Sequence, residues 1–285
     1  MPRAYDPGMS HDGVGVRIGV IARPQLPPEH LPAAARAAEA AGVDDLWLWE
    51  DSFWSGGLVT SAAALDATTT LRLGLGLMPV PLRNPALAAM EVAALSRLHP
   101  ARFVPAFGHG VRAWMQQAGA AVDRPLTLLR EYATAVRALL HGEEVTAAGQ
   151  YVQLDGVRLS MPPAADAVPP ILLGANGPKA LALAGEIADG VVLGEAPTAG
   201  AVASAVQIVR EPAPRHRSRR LPCTWSATSY ASPDDEVVPF AHRDLYAAAI
   251  PRAVTRTVTG GHQLGDDLRV VADDIRGLVG DGIRR

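Results

Sequence analysis

A chain of 285 residues with 48% hydrophobic content can bury a full core, as one large α/β barrel or two smaller domains. Its formal net charge of −3 gives no basis for a nucleic-acid partner. The single cysteine, Cys223, excludes a disulfide framework and a multi-cysteine zinc site, and no apolar run reaches the roughly 18 residues of a membrane span. A cytoplasmic location is therefore expected. Residues 1–15 are polar and Gly-rich and lack an apolar h-region, so they are expected to form a flexible tail before one domain over 16–285.

From there strands alternate with helices. Val16 to Ala22 reads as a short strand ended by Arg23 and Pro24. Leu31 to Ala41 is alanine-rich and helical, with Gly42 placed to stop it. Leu46 to Trp49 is the second strand and Thr60 to Thr69 the second helix. The segment Leu73 to Pro85, LGLGLMPVPLRNP, reads as a strand over Leu71 to Leu77, a turn, and a capped helix. Pro79 and Pro81 cannot continue a central strand. Asn84 supplies an N-cap and Pro85 a first helical residue for a helix running to Leu98. Arg102 to Phe107 is the fourth strand, and Leu126 to Leu140 the fourth helix, with Gly142 as its stop.

The second half is less regular. Val145 to Leu159 alternates apolar and polar residues like a surface hairpin. Pro169 to Gly174 and Gly190 to Leu193 read as strands, and Pro178 to Ala188 and Thr198 to Val209 as helices. Leu221 to Ala231 reads as a further strand, with helices over Leu245 to Val258 and Asp267 to Val279. This alternation argues for a parallel sheet, and the number of units suits a (β/α)8 TIM barrel. An open doubly wound sheet stays possible, although no G-x-G-x-x-G follows the first strand.

In either architecture ligands bind at the carboxyl ends of the strands, so the residues there are the candidates for chemistry. Glu50 and Asp51 end the second strand within LWLWEDSFW. One of them could act as a general acid or base, its pKa raised by Trp47, Trp49 and Trp54, or the pair could be solvated loop acids. His109, in Phe107-Gly108-His109-Gly110, could relay a proton or be a plain loop residue. Gly174-Ala175-Asn176-Gly177-Pro178-Lys179 joins a strand to a helix, where free amides and the chain's only lysine could hold a phosphate. The basic run Arg215 to Arg220 follows a helix and precedes a strand, which puts it on the opposite face as a solvated loop. No H-x-x-x-H or H-E-x-x-H spacing occurs, so no metal site is expected.

In this order the segments VDDLWLWED, GLMPVPLRNP, FGHG and ILLGANGPKALALAGEIADGVVL resemble the bacterial luciferase-like superfamily of flavin- and deazaflavin-dependent oxidoreductases. The likeness runs from about Val16 to Leu193, and its last segment is most similar to the coenzyme F420-dependent branch with the methylenetetrahydromethanopterin reductase-like enzymes. It implies a TIM barrel with the coenzyme ring over the strand ends. It also implies a bulge with a non-prolyl cis peptide at Gly76-Leu77, and coenzyme contacts from Gly76, Leu77 and Met78, from Gly108, His109 and Gly110, and from Gly174 to Lys179. Where the deazaflavin enzymes often carry a catalytic histidine, this chain has Asp51. The resemblance thus implies hydride transfer between coenzyme F420 and a small organic substrate, with Glu50 or Asp51 as proton donor and His109 as second choice. The alternatives are an FMN-dependent monooxygenase using O2 and, from another class, a non-catalytic flavin-binding protein. A helix over Asn84 to Leu98 that is apolar around much of its circumference predicts a homodimer through that helix and the one over Thr60 to Thr69.

Overall fold

The computed structural model describes residues 19–194 and 198–210. Six strands form one parallel sheet: β1 (Gly19–Ala22), β2 (Asp45–Leu48), β3 (Arg72–Pro79), β4 (Phe103–Gly108), β7 (Leu172–Gly174) and β8 (Gly190–Val192), adjacent in that order. Helices α1 (Leu31–Ala40), α2 (Gly57–Asp66), α3 (Pro85–Leu98), α5 (Pro125–Leu140), α6 (Pro178–Ile187) and α7 (Ala199–Arg210) follow the strands. A short helix, α4 (Arg112–Gln117), and an antiparallel hairpin, β5 (Val145–Ala148) and β6 (Gln153–Val157), complete the set.

The local signals explain the boundaries. Asn84 accepts a hydrogen bond on Oδ1 from the Ala86 amide at 2.9 Å, and Pro85 opens α3. Gly42 ends α1 at a φ of +74°, the left-handed conformation that glycine adopts without steric cost. Helix α5 buries Leu128, Leu129, Tyr132, Val136 and Leu139, a 3.6-residue period that turns one face to the sheet. Leu73, Leu75, Phe103 and Phe107 face this layer in one continuous core.

Sequence and structure differ at four places. Strand β3 runs on through Pro79, which pairs with Gly108 beyond the bulge, although a proline was expected to keep it shorter; Pro79 is the last strand residue, so the ladder does not depend on its missing amide. Helix α2 begins at Gly57, three residues before the expected start, because the Glu50 carboxylate accepts the Gly57 amide at 3.1 Å and caps it from outside the local sequence. Helix α4 was not expected, since its six residues carry no N-cap side chain to announce them. Of the expected eight-unit barrel, the described residues show a six-stranded parallel sheet that does not close on itself. The tail at 1–15, the basic run Arg215 to Arg220, and the elements expected between Leu221 and Val279 lie outside them.

Two polar clusters brace the amino-terminal ends of the strands. Arg102 donates to the carbonyls of Leu65, Thr68 and Leu71, and Glu39 accepts the amides of Thr69, Thr70 and Leu71. Arg137 holds Asp189 through both carboxylate oxygens, and Asp189 accepts the Ile171 amide at 2.8 Å. These contacts tie loops to strands on the face away from the candidate site.

Candidate active site

The strand ends of β2, β3, β4 and β7 stand side by side, which brings the sequence-predicted residues to one edge of the sheet. The pairing of β3 with β4 shifts register between Leu75 and Met78, and the Gly76–Leu77 peptide within this bulge is cis. Beyond the bulge the Leu77 side chain lies across β4 and β7. A Cβ on Gly108 would come within 2.9 Å of Leu77 Cδ1, and one on Gly174 would overlap it. The two glycines therefore accommodate Leu77, not a ligand directly, and Leu77 becomes a partly exposed apolar floor over three strand ends. One layer below, the Trp47 indole fills the space left open by Gly74, and it would meet a Cβ on Gly76 at 3.4 Å. Met78 is 1% exposed, so its side chain belongs to the core and the rim receives only its backbone.

Glu50 and Asp51 are adjacent in sequence but differ in surroundings. Glu50 accepts from Arg83 Nη1 at 2.8 Å and Nη2 at 2.5 Å, and from the Gly57 amide. Both of its oxygens are occupied by donors, a bidentate arrangement that links the β2–α2 and β3–α3 loops. On this geometry Glu50 is committed to a clamp between the two loops. Asp51 lacks such a partner set. Burial pushes its carboxyl above the ordinary range, against the opposing pull of the Arg23 cation. Arg23 itself stacks over Trp49 at 5.5 Å from the ring centroid. After Asp51 the chain turns at Phe53, whose φ of +73° is uncommon for a bulky residue, and Phe53 and Trp54 stand exposed at the rim.

His109 is exposed and donates from Nδ1 to the Gly110 carbonyl at 2.8 Å, which leaves Nε2 as the nitrogen outside that bond. After β7, Asn176 Oδ1 accepts the Gly194 amide at 3.0 Å and ties the loops after β7 and β8 together. Ala175 is buried beside Leu181 and Ala205. Gly177 precedes α6 with Pro178 at its first turn and exposed Lys179 next, so positive charge and free amides collect at this helix start. Among the described residues no cluster of His, Cys, Asp or Glu could hold a metal ion, and no helix is long and apolar enough to cross a membrane.

Sequence reasoning missed Arg83 as a site-forming residue, and it named Leu77 only through the family resemblance, without its place across Gly108 and Gly174. Arg83 sits in the LRNP turn at a strand's carboxyl end, so the same rule that selected Glu50 pointed to it. For Leu77 the signal was indirect: glycines at equivalent heights on neighbouring strands imply a large side chain between them.

The family of luciferase-like monooxygenases matches residues 13–277. This chain belongs to it. Among curated relatives, a 5,10-methylenetetrahydromethanopterin reductase of Methanolobus tindarius is 32% identical over 171 residues, 60% of this chain and 51% of that protein. An F420-dependent hydroxymycolic acid dehydrogenase of Mycobacterium tuberculosis is 32% identical over 195 residues, 62% and 51% of the two chains. The luciferase-like chain thus spans about half the length of the curated relatives it matches. Of solved structures, an F420-dependent secondary alcohol dehydrogenase superposes with a TM-score of 0.66 at 22% identity, covering 92% of this chain and 84% of that one. Monooxygenase RslO1 from Streptomyces bottropensis gives 0.63 at 20% identity, covering 93% and 90%. These two show that the fold is the luciferase-like one.

Proposed function

We propose that this chain is an F420-dependent oxidoreductase acting on a small organic substrate. The observation that carries it is the apolar floor made by Leu77 across Gly108 and Gly174, flanked by Asp51 and the exposed aromatic rim. The names of the curated relatives support the choice of coenzyme. Bound there, coenzyme F420 supplies hydride chemistry at C5 of its deazaflavin ring.

The chain's own residues have three tasks. Leu77, Trp49, Phe53 and Trp54 present apolar surface to a flat ring and exclude water from it. The start of α6, with Gly177 and Lys179, offers amides and a cation to the coenzyme phosphate. Asp51 keeps its proton to higher pH than an ordinary aspartate and so serves as the acid, with His109 second. The fold also serves FMN-dependent monooxygenases such as the structural neighbour RslO1, so FMN is the alternative coenzyme.

A fluorescence titration decides. Coenzyme F420 is expected to quench the rim tryptophans with at least about tenfold higher affinity than FMN, a difference of about 1.4 kcal/mol. Tighter binding of FMN, with O2 consumption on reduction, would replace the deazaflavin assignment. Binding of neither would remove the coenzyme site altogether.

A further inference from the structure

A cleft of about 310 Å³ lies beyond the carboxyl end of β3, between the β3–α3 loop, helix α5 and the β5–β6 hairpin, and none of Leu77, Gly108 and Gly174 lines it. Its walls include Val122, Leu128 and Val152, and among them stand four polar groups: Arg83, Asn84, Tyr132 and Tyr151. Tyr132 is the most telling. It is 1% exposed, and its ring meets Phe107 edge-on with centroids 5.5 Å apart. The residue lines the cleft although its ring is buried, so the hydroxyl is the part of Tyr132 that a molecule in the cleft would meet. Burial also pushes the phenol up, away from ionisation, so the group remains an O–H donor.

The other three polar groups are donors as well. Tyr151 accepts the Arg124 amide at 3.0 Å and the Gln150 side-chain amide at 3.2 Å, which leaves its own hydroxyl proton uncommitted. Asn84 commits Oδ1 to the Ala86 amide, leaving its Nδ2 hydrogens. Arg83 is bidentate to Glu50 and faces Glu91 at 3.8 Å from Nε, so its charge is already balanced. An anion would find no net positive charge here. A neutral acceptor would find several donors and apolar walls.

We infer that this cleft is a second small-molecule site, which takes a neutral apolar compound bearing a carbonyl oxygen, with the Tyr132 hydroxyl donating to that oxygen. The inference is independent of the coenzyme assignment. The test uses the full chain, with cyclohexanone and cyclohexanecarboxylate as probes in saturation-transfer NMR and calorimetric titration, with and without F420 or FMN. Cyclohexanone is expected to bind saturably, at least about tenfold tighter than the carboxylate, and to remain bound when coenzyme is added. Tyr132→Phe keeps the ring contact with Phe107 and should weaken the ketone at least about threefold, within the usual range for one hydrogen bond. Val122→Trp, on a partly exposed loop position, fills the cleft and should abolish binding even if Tyr132→Phe fails to fold. Absence of saturable ketone binding, preference for the carboxylate, unchanged affinity in a folded Tyr132→Phe, unchanged affinity in Val122→Trp, or displacement by coenzyme would each overturn the site.

Discussion

Asp51 and Glu50 meet different surroundings at the same strand end. Asp51→Asn removes the proton while keeping shape, and turnover should fall by about 10²-fold with coenzyme affinity little changed. In the parent protein, turnover should decline as pH rises through the raised pKa of Asp51, because the acid loses its proton there. A stopped-flow pH profile checks both, and an unchanged profile in Asp51→Asn passes the role to His109. Glu50→Gln instead breaks the bidentate clamp on Arg83, so coenzyme affinity and melting temperature should fall while the pH profile keeps its shape. Glu39 carries a different pH dependence. Burial pushes its carboxyl up, but the amides of Thr70, Leu71 and Thr69 outweigh that and hold its pKa at about 2. A depressed carboxylate stabilises above its unfolded pKa of about 4.3 and loses that contribution as pH falls through the folded value. The stability difference between the parent and Glu39→Gln should therefore be full at neutral pH and close between about pH 5 and pH 2 in urea melts.

The β3 strand depends on what its glycines admit. In Gly74→Ala the new Cβ would overlap the Trp47 indole, and overpacking of this kind costs about 1–3 kcal/mol. Thermal denaturation should show the loss, and a companion Trp47→Phe change should recover part of it by freeing space. The connection from α2 to β3 is gripped from two sides, with Glu39 on its amides and Arg102 on its carbonyls. Arg102→Met leaves those carbonyls without their cationic donor and should lower stability by about 2 kcal/mol. A double-mutant cycle with Glu39→Gln should give a coupling above about 0.5 kcal/mol, since both side chains hold one short loop. Additivity would mean that the two grips act independently.

The whole molecule leaves large apolar side chains exposed on two outer helices. Val59 on α2 is 78% exposed, and Met90 and Leu98 on α3 are 58% and 70% exposed. Exposed apolar surface of this kind favours a partner that covers it. We propose that a second copy of the chain covers them. Sedimentation should give a dimer at micromolar concentration, and Met90→Glu combined with Val59→Glu should give a folded monomer. A monomeric parent chain would reject this surface as the dimer contact.

Local chemistry made much of this protein legible before any coordinates. Asn84-Pro85 announced α3, Gly42 and Gly142 marked helix ends, and the alternation of apolar runs with alanine-rich segments placed the described strands and most of the helices, because caps and periodicity act within a few residues. The family resemblance carried by GLMPVPLRNP and ILLGANGPKALALAG agrees with the family match. Tertiary structure alone decided what the site residues touch. Glu50 and Asp51 look interchangeable in sequence until Arg83, 33 positions away, takes one of them. Gly108 and Gly174 look like ligand cradles until Leu77 from a third strand occupies both. Such roles depend on which side chains a parallel sheet brings together across long sequence separations, and no pattern within a window of a few residues encodes that.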